Sequence, residues 1–138
     1  FVDTDLDIQV REEATLQEIL EQHDYRYLRQ VEEDVLLNLR LDHALVSTGG
    51  SVVYSAPSMA RLKSLGPVIY LKTELATLEE RVAAAPLRGI ASDGEQSFAQ
   101  VYAERTPLYE RYADYILVTG DNTPQQVAAA ALQLLPRN

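Results

Sequence analysis

The residues of this chain best suited to bind an anion are its arginines, which supply ten of the twelve basic residues; Lys63 and Lys72 are the other two. The planar guanidinium group of arginine pairs with two oxygens of a carboxylate or phosphate at once. The chain also has 21 acidic residues and a formal net charge of −9, so its surface as a whole repels anions. An anionic ligand would therefore need several arginines brought together at one place.

Aspartates and glycines follow the apolar runs of the sequence. Asp3 and Asp5 come at the end of the first run, and Gly49 and Gly50 stop the second. In an open parallel sheet, ligands bind beyond the carboxyl ends of the strands, so these residues are predicted to meet at one edge. Asp and Gly also end strands for local reasons, and Asp3 could simply cap a helix.

The elements that must position these residues alternate between strands and helices, which predicts an α/β fold with a parallel sheet. Strands are predicted at 1–3, 44–48, 68–71 and 115–118. Capping boxes, Pro and Gly signals and the helical period predict six helices, with starts near 15, 28, 57, 73, 97 and 123. The tyrosines at 102, 109 and 112 share a helical face and are predicted to pack in the core.

Composition disfavours several classes of protein. The chain has no cysteine, so it can form neither disulfides nor thiolate metal sites. No apolar run approaches the roughly 20 residues of a membrane span, and no basic stripe suits nucleic acid. The prediction is a cytoplasmic protein that binds neither a membrane nor nucleic acid.

Seven motifs together resemble those of the shikimate kinase family. They are FVDTD (1–5), LRQVEED (28–34), STGG (47–50), PVIYL (67–71), LRG (87–89), ERTPLYERYAD (104–114) and GDNTP (120–124). They cover essentially the whole chain in the family's order and spacing. The resemblance implies a P-loop NTPase-like three-layer sandwich, a parallel sheet with helices on both faces, as a single domain over 1–138 with a lid at 84–97.

The resemblance also implies an activity and roles in catalysis. Family members use ATP and Mg²⁺ to phosphorylate the 3-hydroxyl of shikimate, in aromatic amino acid biosynthesis, and are expected to be monomers. Asp3 matches the residue that holds Mg²⁺ through water, and Asp5 matches the candidate catalytic base, which also contacts the substrate hydroxyls. Arg88 matches the lid arginine that reaches the transferred phosphate.

Other positions match the binding residues of the family. Arg29 and Arg105 match the two arginines that hold the substrate carboxylate. The glycine turn of the family, whose backbone meets the substrate, corresponds to Gly49, Gly50 and Ser51. Arg81 and Pro124 match positions that flank the adenine.

The chain departs from the family pattern in three places. No G-x-x-x-x-G-K-[ST] loop occurs, and we expect it, with the central strand, in a segment of roughly 30 residues before Phe1. Without that strand the other four would form two separate pairs. Ser51 replaces a third glycine, which requires a negative φ and could add a substrate contact or narrow the pocket. Gly89 follows Arg88 where proline is usual, which predicts a looser lid.

Alternative interpretations stay open at this point. Arg29 could pair with Glu32 or Glu33 on its own helix, and Arg105 could simply line a helix. The changes at Ser51 and in the lid could mark a divergent kinase for another small hydroxyl compound. A catalytically inactive binding or regulatory protein with the same fold is a further possibility.

Overall fold

The computed structural model of the protein describes residues 1–84 and 96–135. Four strands form two parallel pairs, β1 (Val2–Asp3) with β2 (Val46–Ser47) and β3 (Ile69–Lys72) with β4 (Tyr115–Val118). In β1–β2 the partners are Val2 with Val46 and Asp3 with Ser47. In the described part of the chain the two pairs are separate sheets. The predicted parallel α/β architecture and the separation into two pairs are both confirmed.

Seven α-helices and one 3₁₀ helix connect these strands in the described part. Their bounds are α1 Thr4–Glu12, α2 Leu16–Gln22, α3 Tyr25–Leu37, the 3₁₀ helix Gly50–Tyr54, α4 Ala56–Leu65, α5 Leu75–Ala84, α6 Phe98–Tyr112 and α7 Pro124–Leu134. The three predicted capping boxes are present at Thr15, Ser97 and Thr123, where each hydroxyl accepts from the backbone N–H three residues on. The α4 helix ends at Gly66.

Three elements differ from the sequence prediction. Helix α1 was not predicted, and it begins directly after β1 because the Asp3 carboxylate caps it by accepting from the Asp5 N–H at 3.0 Å. The 3₁₀ helix was not predicted either, since Gly50-Ser51 gives no helical signal. Strand β2 is also shorter than the expected 44–48.

Among the described residues, buried hydrophobic side chains form two clusters, the second of which includes Val2 of β1 and Val46 of β2 at its edge. The first joins α1, α2 and α3 through Ile8, Ile19, Leu28 and Val31. The second packs the end of α3 against the 3₁₀ helix and α4 through Leu36, Leu39, Val52, Val53 and Met59. Tyr109 and Tyr112 of α6 pack against this second cluster, as predicted. Tyr102 belongs to neither cluster, and its hydroxyl donates to the Thr73 carbonyl at 3.3 Å. The 3₁₀ helix is therefore fixed by its own valines and by α6.

Across residues 1–84 and 96–135, the structure has no helix with the length and apolar character needed to cross a bilayer.

Candidate active site

The turn at Gly49-Gly50 leaves no room for side chains, because functional groups from three helices approach it closely. A Cβ placed on Gly49 would lie 2.8 Å from Asp5 Oδ1 and 3.0 Å from Glu32 Oε2. A Cβ placed on Gly50 would lie 2.6 Å from the Tyr109 hydroxyl and 3.0 Å from Arg105 Nη1. Both glycines are therefore required for close approach, and they bring carboxylates and an arginine to neighbouring residues of one turn.

The acidic side of the turn is held by the start of α1. Thr4 is fully buried, and its hydroxyl donates to the carbonyl of Ser47 at the end of β2, at 3.3 Å. This bond joins the first turn of α1 to the strand that leads into Gly49. Asp3 caps the helix, as the local interpretation proposed, and Asp5 projects from the first turn towards Gly49. The capping hydrogen bond uses Asp3 Oδ1, so Asp3 Oδ2 stays able to accept a contact from a ligand.

The basic side of the turn centres on Tyr54, the last residue of the 3₁₀ helix. The Arg29 Cζ lies 3.8 Å from the centroid of the Tyr54 ring and 4.7 Å from that of Tyr25. The Arg105 Cζ lies 5.4 Å from the same Tyr54 centroid, and its Nε donates to the Tyr54 hydroxyl at 3.4 Å. Arg105 is buried, with only 8% of its surface exposed. Two arginines separated by 76 positions in the sequence thus meet at one aromatic ring.

Glu32 is a buried carboxylate at the centre of the site, with 5% of its surface exposed. Burial raises its pKa to about 7, and the charge of Asp5 acts in the same direction. The hydrogen bond from Ser51 and the charges of Arg105 and Arg29 act to lower this pKa, but burial dominates. Glu32 therefore titrates near neutral pH, unlike an exposed glutamate.

Ser51 stands where the motif resemblance expects a third glycine, and its side chain has a partner within the protein. Its hydroxyl donates to Glu32 Oε1 at 2.6 Å, and both residues are buried. Its φ is not positive, as the sequence analysis required of a serine in this turn. The added hydroxyl thus contacts Glu32, and a direct contact with a ligand stays a prediction.

Tyr109 fixes the turn from the side of α6. Its hydroxyl donates to the Gly50 carbonyl at 2.9 Å, and its ring lies 5.0 Å from that of Tyr70 on β3. Burial is the main cause of the raised pKa of Tyr109, so the hydroxyl stays protonated and able to donate.

Sequence reasoning missed the roles of Glu32, Tyr54 and Tyr109. Glu32 was considered only as a partner of Arg29, and no local signal distinguishes it from Glu33. Tyr54 gives no signal at all, because both arginines that it contacts are distant in the sequence. Tyr109 was correctly assigned to the core, but its bond to Gly50 depends on how α6 docks against the turn.

A second group of predicted residues lies at the carboxyl ends of β3 and β4. The Arg81 guanidinium contacts the carbonyl of Gly120 at 3.5 Å, so α5 meets the loop that leads to Pro124 at the start of α7. Beneath this loop the buried hydroxyls of Thr73 and Thr119 lie 2.6 Å apart. The structure thus brings Arg81 to the loop before Pro124. Arg88, Gly89 and most of the expected lid at 84–97 lie outside the described residues.

Comparisons with known proteins agree with this arrangement. A family model described as shikimate kinase matches residues 1–136. Shikimate kinase 2 of Enterobacter sp. (strain 638) is 31% identical over 134 residues, which cover 94% of this chain and 76% of that protein. Shikimate kinase of Xylella fastidiosa (strain M23) is 32% identical over 133 residues, covering 94% of this chain and 73% of that protein.

Solved structures show the same relationship. Shikimate kinase from Acinetobacter baumannii in complex with shikimate matches with a TM-score of 0.81 at 32% identity, covering 97% of this chain and 76% of that one. Shikimate kinase from Aquifex aeolicus shares the fold, with a TM-score of 0.79 at 24% identity over 96% of this chain and 79% of that one. These solved structures confirm the P-loop NTPase-like fold expected from the motifs. On the family match, the curated relatives and the structural agreement together, this chain belongs to the shikimate kinase family.

Proposed function

We propose that this protein transfers a phosphoryl group from ATP to a hydroxyl of shikimate. The observation that carries the proposal is the convergence of Asp5, Arg29, Gly50 and Arg105 around one turn, in a member of the shikimate kinase family. A relative of known structure, from Acinetobacter baumannii, was determined with shikimate bound. Shikimate carries a carboxylate and three hydroxyls on one ring, which matches a site with arginines on one side and a carboxylate on the other.

Arg29 and Arg105 bind the substrate carboxylate in this proposal. Both guanidinium groups reach the Tyr54 ring, from α3 and from α6, so two charged donors converge on a small region. Arginine pairs with carboxylate oxygens in a planar, two-point geometry, and two arginines fix both the position and the rotation of the shikimate ring. Holding the substrate in this way places one of its hydroxyls in line for phosphoryl transfer.

Asp5 receives the proton of the attacking hydroxyl. Its Oδ1 is at the turn beside Gly49, and the bare backbone of Gly49 and Gly50 lets a polyhydroxylated ring lie against it. A carboxylate next to the attacking hydroxyl can accept its proton as the new bond to phosphorus forms. Phosphoryl transfer otherwise depends on positioning and on positive charge around the transferred group.

Arg81 and Pro124 flank the adenine in the proposal, and Arg88 reaches the transferred phosphate. Bound ATP supplies the phosphoryl group.

Within the described part of the chain no three His, Cys, Asp or Glu side chains form a metal cluster. Mg²⁺ is commonly held by one or two carboxylates together with phosphate oxygens and water. The single carboxylate of Asp3 fits that pattern, so we assign it the contact to Mg²⁺ through water.

A coupled assay of ADP release, with the full-length protein and shikimate as acceptor, tests the proposal. Shikimate-dependent ADP release is expected. Arg29→Ala should raise the KM for shikimate about 10- to 150-fold, since a charge-assisted contact contributes about 1.5–3 kcal/mol. Arg111→Ala, which removes an exposed arginine of α6, should leave the kinetics unchanged.

Other outcomes identify the alternatives. Shikimate binding by calorimetry without ADP release would indicate a binding protein. ADP release with a different hydroxyl compound, and none with shikimate, would indicate a divergent kinase. The cytoplasmic location and the monomeric state are proposed on the same family resemblance.

A further inference from the structure

Tyr54 contacts both arginines that the proposed function assigns to the substrate carboxylate. Its ring face lies 3.8 Å from the Arg29 Cζ, and its hydroxyl accepts from Arg105 Nε at 3.4 Å. The two contacts use different parts of the side chain, the π face for one arginine and the oxygen for the other. Tyr54 thus contacts an arginine from α3 and an arginine from α6 at the same time.

The ring is attached to a rigid support. Tyr54 ends the 3₁₀ helix whose Val52 and Val53 are each 5% exposed and packed in the second core cluster. The same helix begins at Gly50, whose carbonyl accepts from Tyr109. The ring that contacts the arginines therefore belongs to the same short element as the glycine turn, and the two cannot move independently.

Two guanidinium groups in one site repel each other, and a protein can offset that repulsion in two ways. A carboxylate such as Glu32 neutralises charge, but it also competes with an anionic ligand for the same N–H groups. A neutral aromatic ring attracts a cation through its face without carrying an anion of its own. The Tyr54 ring can thus help to hold Arg29 in place without adding a negative charge to the site.

We propose that Tyr54 is a positioning residue that aligns Arg29 through its ring and Arg105 through its hydroxyl, and so sets the preference of the enzyme for a substrate that bears a carboxylate. The inference rests on the proposed function, because it concerns the same substrate. It assigns Tyr54 no contact with the reacting atoms. Its effect is on substrate binding, and turnover at saturation depends on Asp5.

Two variants separate the contribution of the Tyr54 ring from that of its hydroxyl. Tyr54→Phe keeps the ring and removes the oxygen, so it should raise the KM for shikimate about 2- to 5-fold, as expected for one long hydrogen bond. Tyr54→Leu removes both, and a cation–π contact in a desolvated site corresponds to a further factor of about 2 to 30. The KM for ATP and kcat should stay within twofold of the parent in both. Tyr27→Leu, which removes an exposed tyrosine of the same helix as Arg29, is the control for loss of a tyrosine.

A double-mutant cycle identifies the partner of the ring. In an Arg29→Ala background, the ratio between the KM values of Tyr54→Leu and Tyr54→Phe should fall, because the ring has lost its nearer cation and keeps only Arg105, 5.4 Å from its centroid. A ratio as large as in the parent background overturns the inference. So does a parent-like KM for Tyr54→Leu, or an equal loss in kcat and in both KM values. The neutral methyl ester of shikimate supplies a second readout, because Tyr54→Leu should weaken shikimate binding far more than ester binding.

The cycle also separates failure of this inference from failure of the proposed function. If Arg29→Ala leaves the KM for shikimate unchanged, the assignment of the carboxylate site is wrong. If Arg29→Ala raises that KM and Tyr54→Leu does not, the site stands and the role of Tyr54 is refuted. Thermal unfolding and near-UV circular dichroism show whether each variant is folded. If Tyr54→Leu does not fold, the KM of Tyr54→Phe for shikimate supplies the test.

Discussion

The two sides of the glycine turn are one residue apart and chemically opposite. Gly49 lies against the carboxylates of Asp5 and Glu32, whereas Gly50 lies against Arg105 and the Tyr109 hydroxyl. The acidic side comes from α1 and α3, and the basic side includes α6 and the Tyr54 ring. In the proposed function, one short backbone segment therefore separates the proton acceptor from the groups that bind the carboxylate. Substitutions on the two sides should therefore change different kinetic constants.

The largest expected effect is on the acidic side. Asp5→Asn removes the proposed proton acceptor but keeps the shape of the side chain. We expect kcat to fall about 10²- to 10⁴-fold, the usual contribution of general base catalysis. The KM for shikimate should change only a few-fold, because Arg29 and Arg105 are untouched. Steady-state kinetics with shikimate varied measure both constants, and a kcat close to that of the parent would exclude Asp5 as the base.

Substitution of each glycine by alanine tests whether the two sides of the turn affect different kinetic constants. A Cβ at Gly49 meets the ends of two carboxylate side chains, which can shift aside, so the cost in stability should be about 1 kcal/mol, whereas a Cβ at Gly50 meets the rigid ring of Tyr109 and should cost about 2–3 kcal/mol. Gly49→Ala displaces Asp5 and should chiefly lower kcat. Gly50→Ala displaces Arg105 and should chiefly raise the KM for shikimate. We expect each effect to be about 10- to 100-fold, since small misplacements of positioned groups can reduce rates that far.

Gly66→Ala is the matched control for both glycine variants. No atom lies within 4 Å of a Cβ placed there, and its φ of 166° is extended backbone that any residue adopts. Its kinetics should be those of the parent, and its free energy of unfolding should change by about 0.5 kcal/mol or less. If Gly49→Ala and Gly50→Ala alter kcat and KM in the same proportion, the division between the two sides is wrong.

A further prediction concerns stability rather than kinetics, through the protonation of Glu32. Its pKa is about 7 in the folded protein and near 4.5 when unperturbed, so the folded state binds the proton more tightly than the unfolded state. The stability from this proton is present below about pH 4.5 and is lost as the pH rises through about 7, at up to about 1.4 kcal/mol per pH unit. Glu32→Gln should reduce the dependence of the free energy of unfolding on pH between about pH 4.5 and pH 7. Urea unfolding at pH 5, 6, 7 and 8 measures it, and parallel profiles for parent and variant would contradict the raised pKa.

The parts of the fold that depend on local signals were predictable from the sequence. The strand at 115–118 and the three capping boxes match the structure because a few neighbouring residues determine them. The meeting of Asp5 with the Gly49-Gly50 turn followed from the geometry of parallel sheets. The start of α1 was missed because Asp3 both ends a strand and caps a helix.

The parts of the site that depend on docking between distant elements were not predictable. Tyr54 meets Arg105 across 51 positions of sequence, and nothing near Tyr54 indicates that partner. The role of Ser51 was open for the same reason, since its hydrogen bond to Glu32 depends on how α3 packs against the turn. Motif resemblance placed the arginines at the site, but it did not show what orients them.

The direct succession of Gly49 and Gly50 has a consequence for the choice of acceptor. Consecutive Cα atoms across a trans peptide are about 3.8 Å apart, and this distance does not vary with thermal motion. Asp5 and Arg105 belong to different helices but contact these two adjacent residues, so one short turn limits the spacing between the proposed base and the proposed anion-binding group. An acceptor molecule lengthened by one methylene between its carboxylate and its reacting hydroxyl should therefore be a poorer substrate.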